Sequence, residues 1–242
     1  MMDAVSSPEH DRATTLLWGE RPAPTRGPRP TLTLGAIAQA AIEIADAQGL
    51  TAVTMQHVAS ALGVTKMALY RYVPGKVELV ALMTDTAIGE PPRLDAVDGG
   101  WRPRLEGWAR QLFDRFRQHP WTLESTVGAR AMGPHELGWL EQAVAALSCT
   151  RLDGGEMLDV AVTLVGHVRS IAQQAAATAG PPEAAMDAAL GALVRGREDR
   201  FPALTAALAS VAAHGTQDQA LDVGLRLILD GADLLISTRS GG

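Results

Sequence analysis

One stretch constrains the fold more than any other: Met55 to Lys76, MQHVASALGVTKMALYRYVPGK. Met55, Val58, Ala59 and Leu62 recur at helical spacing, which gives a first short helix one apolar face. Gly63 supplies the left-handed backbone that ends this helix and opens a tight turn. Val64 plugs the corner, and Thr65 caps a second helix by accepting one of its free backbone N–H groups. In the second helix Leu69 and Tyr72 are predicted to face inward, while Ala59 is small where the two helices cross. Small, glycine and apolar residues at these offsets are the helix-turn-helix pattern. The outward positions are Lys66, Met67, Tyr70 and Arg71, with Lys76 in the next turn. They offer cations and hydroxyls without a carboxylate, a set suited to a polyphosphate partner.

The charge distribution supports that reading. The chain of 242 residues carries a formal net charge of −6, which by itself disfavours nucleic acid. Residues 21–76 nonetheless carry +4, against −3 for the first twenty residues and −7 for everything after Lys76. A basic module on an acidic body fits local contact with DNA. Alanine and leucine dominate and β-branched runs are few, so an all-α fold is expected. Cys149 is the only cysteine, which excludes an intramolecular disulfide and a cysteine metal cluster. No apolar run reaches the ~18 residues of a membrane span, and the start MMDAVSSPEHDR lacks a signal-peptide pattern. The expected location is cytoplasmic.

Taken in order, residues 1–30 read as a disordered, proline-rich arm whose Arg21, Arg26 and Arg29 can reach a minor groove. A helix is predicted over 34–48, capped by Thr33 and stopped by Gly49, with Leu34, Ile37, Ala38, Ala41 and Ala45 on one face. It completes a three-helix unit, and residues 31–90 form the expected DNA-binding domain. The helix restarting at Lys76 is predicted to bury Val77, Val80, Ala81, Thr84 and Ile88. Lys76 at its first turn opposes the helix dipole, a conflict that a phosphate would relieve. The stretch GEPPRLDAVDGGW is a boundary before a second domain, residues 101–242. There, helices are expected over 101–118, from Pro134 to about Cys149, over 153–177 and over 221–236. In the helix from Pro134, Leu137, Leu140, Val144 and Leu147 are expected to face inward.

The run GLTAVTMQHVASALGVTKMALYRYVPGKVEL resembles the DNA-binding domain of the TetR family of bacterial repressors. ARAMGPHELGWLEQAVAAL, further on, resembles the C-terminal class found in tetracycline-type repressors. The resemblance implies an N-terminal helix-turn-helix domain, a C-terminal helical domain for ligand binding and dimerisation, and no enzymatic activity, cofactor or resident metal. It implies that Thr65, Lys66, Met67, Ala68 and Tyr70 face the major groove of operator DNA. It also implies that Tyr70, Tyr72 and Lys76 touch phosphates, and that Thr54 and Gln56 touch the backbone or a base edge. Gln56 can read adenine and Lys66 can donate to guanine. Residues 153–177 and 221–236 would supply two helices per subunit to a four-helix homodimer interface. A small-molecule inducer would sit among Trp108, Phe116, Trp121, Met132, Trp139, Met157 and His167. Aligned on Gly128, Thr126 stands where the founding repressor holds magnesium through a histidine, so a tetracycline–magnesium inducer is not expected.

The competing classes leave weaker marks. No GxxxxGK[ST], HExxH or GxSxG run is present, and the six histidines lack a metal-ligand spacing. A ligand-binding helical protein without DNA binding would not need Lys66, Tyr70, Tyr72 and Lys76 together. Activation in place of repression depends on where the operator lies and stays open at this point.

Overall fold

The computed structural model describes residues 8–19, 32–178, 182–214 and 219–240, and the regular structure among them is helical. The chain forms two compact units, Met1–Cys149 and Thr150–Gly242. The proline- and glycine-rich stretch 89–100 is therefore a connection inside the first unit.

The first unit begins with α1 (Pro8–Trp18), where the sequence predicted a disordered arm. Ala13 is buried, and Leu16 and Leu17 pack on the helix-turn-helix core. These residues recur at helical spacing, a signal that the surrounding prolines masked. Arg12 Nε donates to the buried Glu78 carboxylate at 2.8 Å, and Trp18 Nε1 donates to the Met132 carbonyl at 2.9 Å. Arg21, Arg26 and Arg29 lie outside the described residues.

Next come α2 (Leu34–Gln48), α3 (Met55–Ala61), α4 (Lys66–Tyr70) and α5 (Lys76–Ile88). Thr33 caps α2 by accepting from the Ala36 N–H, and Gly49 ends it at φ 81°. Ile37, Ala38, Ala41, Val53, Val58, Ala59, Leu69, Val73, Leu79 and Met83 form the solvent-free centre of this bundle. Each large apolar side chain buried there is worth about 1.5–3 kcal/mol. The expected phase of α5 was wrong in its first turns. Val77 is 46% exposed and Val80 and Ala81 are half-buried, whereas Glu78, Leu79, Leu82 and Met83 are buried. The reason is that α5 packs on α1, α2, α6, α7 and α8, so its buried surface is not one stripe.

The rest of the unit is α6 (Trp101–Gln118), α7 (Thr122–Ser125) and α8 (Pro134–Leu147). Gly133 has no side chain to cap α8, and Asp85 of α5 does so instead, accepting the Glu136 N–H at 3.0 Å. A Cβ on Gly133 would lie 2.2 Å from the Asp85 carboxyl carbon, so this docking requires glycine. Trp139 Nε1 donates to the Gly89 carbonyl at 3.0 Å, and Trp108 Nε1 to the Trp139 carbonyl at 2.8 Å. These bonds set the rotation of α8. Trp139, Ala143, Ala146 and Leu147 are buried, Leu137 is exposed, and Leu140 and Val144 are half-buried, so three of the four inward positions expected from periodicity are displaced.

The second unit is built on α9 (Gly154–Ala177) and α12 (Ala220–Ser240), with α10 (Pro182–Val194) and α11 (Pro202–His214) between them. Asp153 and Glu156 form a reciprocal capping box at the start of α9. Helices α9 and α12 run antiparallel. Glu156 near the start of α9 pairs with Arg239 at the end of α12 at 2.6 Å, while His167 Nε2 meets the Leu221 carbonyl at 3.0 Å. The hydrogen bond from Arg239 holds the Glu156 carboxyl below its usual range. Ala161, Leu164, Val168 and Ala172 of α9 are buried in this unit, as are Leu225, Leu229 and Ala232 of α12.

Candidate nucleic-acid interface

The geometry of α4 follows from three local devices. Gly63 turns the chain at φ 66°. Thr65 Oγ1 accepts the Ala68 N–H at 3.2 Å and starts the helix. Leu69, fully buried, then anchors one side of a helix only five residues long. With that side fixed, Lys66, Met67 and Tyr70 must point outward, and all three are exposed. Met67, at 71% exposure, is a large apolar side chain that the described residues leave in solvent. Ala68 is half-buried and presents at most its methyl.

Tyr72 departs from the first expectation. It is 37% exposed, and Val73 takes the inward place. The cause is the tightening of the chain after Tyr70, where the Tyr72 and Val73 N–H groups both donate to the Leu69 carbonyl at 3.0 Å. The change turns Tyr72 to the same solvent as Tyr70, where a phosphate can meet its hydroxyl.

Lys66 Nζ lies 5.7 Å from the centroid of the Tyr70 ring, a contact that orients the cation over the exposed face. Thr54 Oγ1 accepts the His57 N–H at 3.1 Å and begins α3. Both threonine hydroxyls keep a proton to donate outward. Gln56 is exposed one turn from Ser60, to whose Oγ its amide donates at 3.3 Å. Ser60, also exposed, is a polar neighbour that the sequence reading did not single out. Lys76 is exposed at the first position of α5, and the buried Glu78 carboxylate lies in that same turn. The helix dipole thus has one acid against one cation, and Arg12 shares the acid.

The residues expected around a ligand separate into two groups. Trp108, Phe116, Trp121 and Trp139 are buried in the first unit, and Met132 there is exposed. Trp108 and Trp139 are brought together, their rings tilted at 58° with centroids 6.0 Å apart. The three buried indole N–H groups are already bonded, Trp121 to Asp46 at 2.7 Å. These side chains therefore offer faces, not donors. Met157 and His167 belong to the second unit, both half-buried, and the His167 ring lies against Gly224. No described helix is long and apolar enough to cross a membrane.

Comparison with known proteins agrees with this layout. Residues 37–83 match the model for bacterial regulatory proteins of the tetR family, and residues 92–235 the model for a tetracyclin repressor-like C-terminal domain. The chain is 35% identical over 240 residues to the HTH-type transcriptional repressor DrrR1 of Streptomyces coeruleorubidus, covering 95% of this chain and 88% of that one. Its fold is similar to that of the TetR family protein ActR of Streptomyces coelicolor in complex with actinorhodin. The TM-score is 0.71 at 22% identity, over 83% of this chain and 94% of the other. It is also similar in fold to Mycobacterium smegmatis BioQ bound to its double-stranded DNA operator. There the TM-score is 0.56 at 20% identity, over 83% and 97% of the two chains.

Proposed function

The chain belongs to the TetR family of bacterial regulatory proteins, DNA-binding regulators of transcription, and we propose that it is a homodimeric repressor released from its operator by a small hydrophobic ligand. One observation carries the DNA side of this reading: Leu69 is buried while Lys66, Met67 and Tyr70 of the same short helix stand in solvent. Thr65, Lys66, Met67 and Ala68 enter the major groove in this proposal. Tyr70, Tyr72 and Lys76 hold phosphates, and Thr54 and Gln56 flank them. The relative named as a repressor supports the sign of regulation, and ActR, solved with actinorhodin, supports a small-molecule ligand. DNA as the partner places the work in the cytoplasm.

The dimer follows from what α9 and α12 leave uncovered. Leu158 and Val162, then Gly166, recur every fourth residue on the outward side of α9. Val223, Leu227, Gly231 and Leu234 recur at steps of four, four and three residues on α12. A Cβ added at Gly166 or Gly231 meets no atom within 4 Å, so both glycines leave room for the close approach of a helix from a second subunit. Burying these two stripes against their copies gives the four-helix interface and fixes the spacing of two recognition helices. The ligand rests on the apolar faces of Trp108, Phe116, Trp121, Met132 and Trp139, all within the first unit.

The test is binding of the purified protein to its own upstream intergenic DNA. Specific retardation is expected, and Lys66→Ala or Tyr70→Ala should abolish it while the dimer persists in sedimentation. Full retardation by both variants would reject this interface.

A further inference from the structure

Beneath α1 lies a cleft of about 490 Å³, walled by α1, the first half of α5 and the 125–131 segment, all within the first unit. Its floor is the stripe Val77, Val80 and Ala81, the apolar surface that the periodicity of α5 assigned to the interior and that the fold leaves open. Ala131 and Ala13 close its sides. Its charged lining is one-signed: Lys76 and Arg130 line it, and no acidic residue does. Arg130 spends both terminal nitrogens on Glu136 and its Nε is buried, so Lys76 is the lining cation that can meet a ligand. The volume falls in the range of pockets that enclose drug-sized organic molecules.

We propose that this cleft binds an amphipathic organic monoanion, with a flat apolar body on Val77, Val80 and Ala81 and a carboxylate on Lys76 Nζ. A neutral molecule of the same shape brings no charge to Lys76, and a dianion brings a second charge with no cation to meet it, because Arg130 is paired with Glu136. The site is separate from the aromatic cluster around Trp108 and Trp139, none of whose residues line the cleft. It also reaches the DNA side. Lys76 stands on the rim and is one of the phosphate contacts proposed above. A carboxylate held by Lys76 competes with the phosphate for the same cation, so each ligand weakens the other by the same factor. This coupling, unlike the binding itself, rests on the proposed role of Lys76 toward DNA.

The experiment is calorimetric titration of the full chain with 2-naphthoate and with its neutral isostere 2-naphthamide. The acid is expected to bind at least tenfold more tightly than the amide. Lys76→Gln should remove most of that difference. Val77→Trp, at a half-exposed position whose indole fills the cleft, should abolish binding of the acid while thermal melting shows the fold intact. Equal affinity for acid and amide would overturn the proposal, as would undiminished binding by Val77→Trp, which would place the ligand elsewhere. A second titration, of operator DNA with and without 2-naphthoate, tests the coupling. The acid should weaken DNA binding by native protein and not by Lys76→Gln. Tight, Lys76-dependent binding of the acid with no effect on DNA would keep the site and refute the coupling.

Discussion

Asp46, near the end of α2, ties the helix-turn-helix to the segment that joins α6 to α7. Its Oδ1 accepts from Trp121 Nε1 at 2.7 Å and lies 2.9 Å from His119 Nδ1. The two bonds are unequal in value. Trp121 is 6% exposed, so an indole N–H without its acceptor stays hidden from water and costs about 1–3 kcal/mol. The Asp46 side chain is 34% exposed, so its pairing with His119 is screened and worth about 0–1 kcal/mol. Asp46→Ala should therefore destabilise the first unit by roughly 2–3 kcal/mol, a drop in Tm of about 4–12 °C at 2–4 °C per kcal/mol. Asp46→Asn keeps an oxygen for Trp121 and loses only the charge, so its cost should stay below about 1 kcal/mol. Thermal melts followed by circular dichroism at one protein concentration measure both. Equal losses for Ala and Asn would show that the charge dominates, and a shift under about 1 °C for Ala would refute the strut altogether.

Three further outcomes follow from the same geometry. Burial, outweighing the Glu136 N–H and His135, raises the Asp85 carboxyl above its ordinary range. Its protonated form then favours the fold fully below the unfolded value of 3.8, and that contribution is lost as pH rises through the raised folded value. The Tm of the native protein relative to Asp85→Asn should accordingly rise as pH is lowered from 7 toward 4, and a flat difference would reject the assignment. Gly224→Ala puts a Cβ 2.1 Å from His167 Cε1, which forces the ring off Leu221. Loss of that bond and crowding, partly offset by alanine's helix propensity, should cost about 1–3 kcal/mol in urea denaturation. Leu227→Asp with Leu234→Asp, both on exposed positions of α12, should leave a folded monomer in analytical ultracentrifugation, whereas an unchanged dimer would move the interface elsewhere.

Much of this was legible in the sequence where local rules suffice. The caps at Thr33 and Thr65, the stop at Gly49 and the turn at Gly63 depend on single residues and their neighbours, and the structure has each of them. The outward set on α4 was readable because one buried residue, Leu69, fixes the phase of so short a helix. Tyr72 was misplaced because its position depends on how the helix ends, which spacing alone does not encode. Val77 on α5 and Leu137 on α8 were misplaced for a tertiary reason. Helix α5 meets five neighbours, and α8 is turned by bonds from Trp139 and Asp85 to atoms about fifty residues away in sequence. Helix α1 was missed because five prolines in the first thirty residues outweighed the spacing of Ala13, Leu16 and Leu17.

The central claim is that the outward face of α4 meets operator DNA while Lys76, at the start of α5, holds a phosphate. Its most direct measurement is the salt dependence of operator binding for native protein and for Lys76→Ala. Each phosphate neutralised contributes about 0.9 to the slope of log K against log salt. A dimer that loses one such contact per subunit should show a slope shallower by about 1.8, along with weaker binding at low salt. Parallel slopes for the two proteins would mean that Lys76 meets no phosphate, and would contradict the account.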